Sequence, residues 1–125
     1  MLNGGEMMEF CGIARLFDLT NEQQYETIGA FWDEMEAQYG LENLRGLGYE
    51  WRGNQIAYAI GLKTGEIPGC NLRIPLPDTS WVTVKGETDN LKALYDEIYQ
   101  HGPLRYEIET FFHDGTCEIC YYRSK

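Results

Sequence analysis

The chain has 125 residues, which fits one domain that buries roughly two-thirds of its surface on folding. Ten Lys and Arg against twenty Asp and Glu give a formal charge of −10, which argues against phosphate-backbone binding because that needs a positive surface. The same excess favours solubility first and cationic partners second, while nine Tyr, five Phe and three Trp supply both core and ring faces for flat or cationic ligands.

The opening "MLNGGEMMEF" has no Lys or Arg and no apolar run long enough for a secretory signal. No later segment approaches a membrane span. The reading is therefore cytoplasmic, with Cys11, Cys70, Cys117 and Cys120 as reduced thiols. Met7 and Met8 offer alternative starts, so 1–9 reads as a short lead and 10–125 as one domain.

Phe10 to Leu19, "FCGIARLFDL", alternates as a strand. Thr20 or Asn21 offers an N-cap, and Tyr25, Ile28, Trp32, Met35 and Tyr39 then repeat at spacings of three and four up to Gly40, which predicts an amphipathic helix. "LGYEWRGNQIAYAIGL" predicts a hairpin with Gly53-Asn54 as a two-residue turn of the II′ kind. In that register Trp51 faces Ile56, Tyr49 faces Tyr58 and Leu47 faces Ile60. The opposite face carries small residues such as Gly48, Ala57, Ala59 and Gly61 that would let something lie close against the sheet. Which face meets the helix is left open by the sequence.

"CNLRIPLP" reads as an extended piece limited by its prolines, and "SWVTVKG" as a strand entered through Trp81. "ETDNLKALYDEIYQHGP" predicts a second helix capped by Thr88 or Asp89, with Leu91, Leu94, Tyr95 and Ile98 on its apolar face. "LRYEIETFFHDGTCEICYYRSK" closes the chain as a hairpin. With Asp114-Gly115 as a two-residue loop, Phe112 opposes Cys117, Thr110 opposes Ile119 and Ile108 opposes Tyr121, and this face reads as core. The other face then gathers Glu107, Glu109 and Phe111 with Glu118, Cys120 and Tyr122. Charges are normal on the solvated face of an edge hairpin. Opposed glutamates beside Phe111 and Tyr122 also fit a pocket for a lipophilic cation.

Strand, helix and hairpin occur twice in order, joined by an extended segment. The expected fold class is α+β: two β-α-β-β repeats forming one domain, with an antiparallel sheet, two main helices and a cleft at the seam. Cys117-x-x-Cys120 does not read as a metal site, because strand residues three apart point to opposite faces. His101 and His113 fall in turns, and no phosphate-binding glycine loop occurs. No cofactor and no metal are expected.

The runs "IAYAIGL", "IPLPDTSWVTVKG", "LKALYDEIYQHG", "YEIETFF" and "CEICYY" together resemble the GyrI-like, AraC-type effector-binding domain, the small-molecule module of multidrug-responsive regulators that also occurs alone. Tyr58 and Gly61, Pro75 and Trp81, Gly86, Tyr95, and Glu109 with Phe111 match its pattern in order and spacing, and "IGAFWDEM" matches its first helix. The resemblance implies a duplicated β-α-β-β fold with a ligand cleft between halves and Glu109 as counter-charge for hydrophobic cations. Ligand-binding residues on that basis are Glu109, Phe111, Tyr58, Trp81, Tyr49 and Tyr122. Phe111 departs from the family's usual Tyr, and the chain is shorter than many members. The expectation is a stand-alone binding domain that senses or sequesters a small hydrophobic cation, without direct nucleic-acid or membrane binding, and with homodimerisation or a protein partner open. Two alternatives follow from the same family: a hydrolase of strained, cyclopropane-bearing compounds using Glu109, and a protein-binding module of the gyrase-inhibiting type.

Overall fold

A computed structural model describes residues 8–123; of the lead expected at 1–9, residues 1–7 lie outside the described residues and 8–9 belong to the first strand. The elements are β1 (Met8–Asp18), α1 (Gln24–Tyr39), β2 (Leu44–Arg52), β3 (Gln55–Leu62), β4 (Leu72–Leu76), β5 (Val82–Glu87), α2 (Leu91–Tyr99), β6 (Tyr106–Phe111) and β7 (Thr116–Tyr122). The seven strands form one curled, antiparallel sheet in the order β4-β1-β3-β2-β6-β7-β5. The fold class is α+β, and among the described residues no helix is long and apolar enough to cross a membrane.

Both helices pack on one face of the sheet. Phe31, Trp32 and Met35 of α1 close over Tyr58 and Ile60 of β3, and Tyr95 and Ile98 of α2 close over Ile119 of β7. A third cluster, Phe10, Leu47, Ala59, Leu76, Tyr106 and Ile108, fills the curl on the other face. Alternating side chains from the same strands feed both layers, so a one-residue change of register would exchange core for surface.

Two expected registers are corrected in this way. In the β2–β3 hairpin Gly53 takes a positive φ of 56°, as a II′ turn requires, and Trp51 pairs with Ile56. The register then shifts between Gly48 and Glu50, so Tyr58 pairs with Gly48 and Ile60 with Gly46 rather than with Tyr49 and Leu47. The extra residue, Tyr49, is a β-bulge: Tyr58 stays on the helix face with Ile60, while Leu47 and Tyr49 are turned to the other.

In the β6–β7 hairpin the loop has three residues rather than two. The Phe112 amide donates to the Thr116 carbonyl, and Gly115, at φ 88°, takes the left-handed position that ends such a loop. Glu109 therefore pairs with Ile119, Glu107 with Tyr121, and Glu118 with Thr110. The glutamates are not opposed: Glu107 and Glu109 face the helices, and Glu118 lies on the far face with Lys85 at 3.8 Å.

The helix starts also differ from expectation. Residues Thr20–Glu22 and Thr88–Asn90 form short 3-10 turns, and neither α1 nor α2 has a side-chain cap. Asp18 accepts the Thr20 amide at 2.7 Å instead, which fixes the exit from β1.

Candidate functional site

Between α1, α2 and the helix face of the sheet lies a cleft of about 1260 Å³. Tyr25, Ile28 and Trp32 line one wall, Leu91, Tyr95 and Tyr99 the other, and Tyr58, Glu107, Glu109 and Phe111 the floor. The floor is set where β2 meets β6: Gly46 pairs with Glu109 and Gly48 with Glu107.

Those glycines make room for the floor's side chains. A Cβ at Gly46 would stand 2.6 Å from Tyr58 Cζ and 2.9 Å from Trp32 Cζ2, and one at Gly48 would stand 2.9 Å from Glu107 Cγ. What lies close against Gly48 is the chain's own Glu107, its partner across the β2–β6 ladder.

Glu107 and Glu109 are 4% and 5% exposed, and among the described residues they are the buried charged side chains. Burying a carboxylate is costly unless it is hydrogen-bonded and paired. Both oxygens of Glu109 accept tyrosine hydroxyls, Oε1 from Tyr58 and Oε2 from Tyr95, and Glu107 Oε1 accepts the Tyr99 hydroxyl at 2.7 Å. The indole N–H of Trp32 donates to Tyr58 Oη at 2.8 Å. An indole nitrogen only donates, so the Tyr58 oxygen is the acceptor there and its proton points to Glu109. Among the described residues neither glutamate makes an ion pair.

The electrostatics follow from that lack of a cation. Burial pushes Glu107 up to about 8, helped by the charge of Glu109 beside it and opposed by the hydrogen bonds from Tyr99 and Tyr95. Burial also raises Glu109, against the hydroxyls of Tyr58 and Tyr95. Tyr58 and Tyr95 are held well above the usual phenol range by burial and the neighbouring carboxylates, so both remain donors. Tyr99 is shifted in the same direction for the same reasons. The site is a buried floor of two carboxyl groups whose burial favours the protonated form, fixed by phenol hydroxyls and rimmed by aromatic rings.

No family model, curated protein or solved structure matches this chain.

Of the residues expected from sequence, Tyr58, Glu109 and Phe111 are brought together on the cleft floor. Tyr49, Trp81 and Tyr122 pack instead with the cluster on the opposite face, where Trp81 lies 5.7 Å from Tyr122, ring to ring, and its indole donates to the Pro77 carbonyl at 2.7 Å. Trp32, Tyr95, Tyr99 and Glu107 complete the site and were not among the expected ligand residues. Tyr95 and Tyr99 are one helical turn apart on α2 and their rings stack at 5.5 Å, a spacing visible in the sequence. Cys117 is buried and pairs with Phe111 on the helix face, while Cys120 pairs with Ile108 on the other, in keeping with their spacing.

Proposed function

We propose that this chain is a stand-alone binding domain of the GyrI-like, effector-binding type, which takes a small hydrophobic cation into the cleft between α1 and α2 in the cytosol. The observation that carries the reading is the pair Glu107 and Glu109, buried without a cation on the floor of an aromatic cleft. A bound cation would supply the missing counter-charge, and the rings of Trp32, Tyr95 and Phe111 would cover its apolar part. The strand order supports a duplicated fold: β1-β3-β2 and β5-β7-β6 have the same sequence-to-space pattern and meet at β2 and β6.

Two features set this reading above its alternatives. Both oxygens of Glu109 are occupied by tyrosine hydroxyls, which suits a fixed anion better than the water-activating base a hydrolase would need. The exposed large apolar side chains among the described residues, Leu16, Val82 and Tyr99, sit on three separate elements, whereas a protein-docking face would gather them.

The test is titration with lipophilic quaternary ammonium compounds and their neutral isosteres, followed by the fluorescence of Trp32 and Trp51 in the cleft wall. Cations should bind, neutral isosteres should bind at least about tenfold more weakly, a gap of about 1.4 kcal/mol, and Glu109→Gln should erase the difference. Equal binding of charged and neutral compounds by both proteins would remove the basis for this assignment.

A further inference from the structure

Away from the two glutamates, Cys11 of β1, Glu66 and Cys70 bring their ligand atoms within 4.8 Å of one another. We infer that Cys11, Cys70 and Glu66 form a binding site for a thiophilic divalent metal ion, with zinc as the natural fit.

The two cysteines are 59 positions apart in sequence and meet through local backbone geometry. Cys11 pairs with Arg73 across the β1–β4 ladder, and the turn Ile67 to Cys70 is closed by the Cys70 amide donating to the Ile67 carbonyl at 3.2 Å. Gly69, at φ 80°, gives that turn the left-handed residue it needs. Ile67 is buried beneath the turn and anchors it to the α1 cluster. The result is a rigid strand facing a tight turn, with both thiols free and half-buried and the carboxylate reaching in from the solvent side.

Distances and ligand chemistry agree with a metal. Cys11 Sγ lies 4.0 Å from Glu66 Oε2, and a tetrahedral ion bonded at about 2.3 Å to sulfur and about 2.0 Å to oxygen holds such atoms somewhat closer. Only a small contraction is needed. Thiolate donors select zinc-like ions over magnesium or calcium, and two of them with one carboxylate leave a fourth position for water or another ligand. Each thiol loses its proton as its S–metal bond forms, so one divalent ion replaces two protons and the site's formal charge changes little. Arg73 now pairs with Glu66 and with Glu9 at 3.3 Å. It would keep Glu9 when Glu66 turns to the metal.

The experiment is titration of the reduced full chain with cobalt(II), then with zinc. One cobalt should bind per chain with thiolate-to-cobalt charge-transfer absorption and intense tetrahedral d–d bands, and zinc should bleach both. Cys11→Ser and Cys70→Ser should each at least halve the charge-transfer band and the double variant should abolish it, Glu66→Gln should weaken cobalt binding at least about tenfold, and Cys120→Ser should change neither. On the unmodified protein, zinc should shield Cys11 and Cys70 from alkylation as read by peptide mass spectrometry, which tests the site even if a variant misfolds. Absence of the thiolate band, its survival at full intensity in Cys70→Ser, or alkylation of Cys11 and Cys70 indifferent to zinc would each overturn the assignment.

Discussion

Replacing Glu107 by Gln isolates the energetic consequence of a buried carboxyl that lacks a cation. Glu107 is held at about 8, against an ordinary value of 4.5. The folded chain therefore binds more protons than the unfolded chain between those two values, and its stability falls as pH rises through that window. By linkage this one group removes about 3 kcal/mol between pH 5 and pH 8, or about 10 °C of Tm in a domain of this size. Glutamine keeps an oxygen for the Tyr99 hydroxyl and has no proton to lose, so Glu107→Gln should abolish that share of the slope. Urea unfolding followed by tryptophan fluorescence at pH 5, 6, 7 and 8 gives the two curves. The stability difference should move in favour of the variant by about 3 kcal/mol from the lowest to the highest pH. Parallel curves would refute the burial-without-a-partner account of this floor.

Three further outcomes follow from the same geometry. Gly48→Ala puts a methyl 2.9 Å from Glu107 Cγ, so it should cost about 1–3 kcal/mol in urea unfolding and blunt the pH dependence just described by displacing that carboxyl. Tyr99→Phe removes the hydroxyl that favours ionised Glu107, and the pH at which stability stops falling should move to a more alkaline value, read from the same series of unfolding curves. Glu118→Gln, on the far face with only Lys85 at 3.8 Å, should change stability by less than about 0.5 kcal/mol and leave ligand titrations unaltered.

Much of this architecture was legible in the sequence because it depends on patterns longer than one turn of chain. The α1 stripe ending at Gly40, the Gly53-Asn54 turn and the order of strands and helices are all as the periodicities predict. What was not legible hinges on single residues. A bulge at Tyr49 moves Leu47 and Tyr49 to the face opposite Tyr58, and nothing in "LGYEWR" marks it, since the energetic reason is the fit of Tyr58 over Gly46. Likewise Asp114-Gly115 suits a two-residue loop, yet Asp114 Oδ1 accepts the Thr116 amide at 2.9 Å and its hydroxyl at 2.6 Å, which favours the three-residue loop. That one extra residue separates Glu118 from Glu109. Tyr49 and Tyr122 follow these two slips to the opposite face, because an aromatic on a two-faced sheet fits either layer, and Trp81, expected from the resemblance, packs beside them. Cys11 and Cys70 lie too far apart in sequence for any spacing rule to pair them.

The direction of one hydrogen bond has a kinetic consequence. Trp32 donates to Tyr58, and Tyr58 donates to Glu109. Because an indole N–H has no lone pair to receive a proton, the relay is sealed at its inner end. Protons exchange with the carboxyl pair from the cleft side, where Glu107 and Glu109 line the floor and Tyr99 is 39% exposed. An occupant that fills the cleft would stand on that side, so proton exchange at the floor should slow when the cleft is filled.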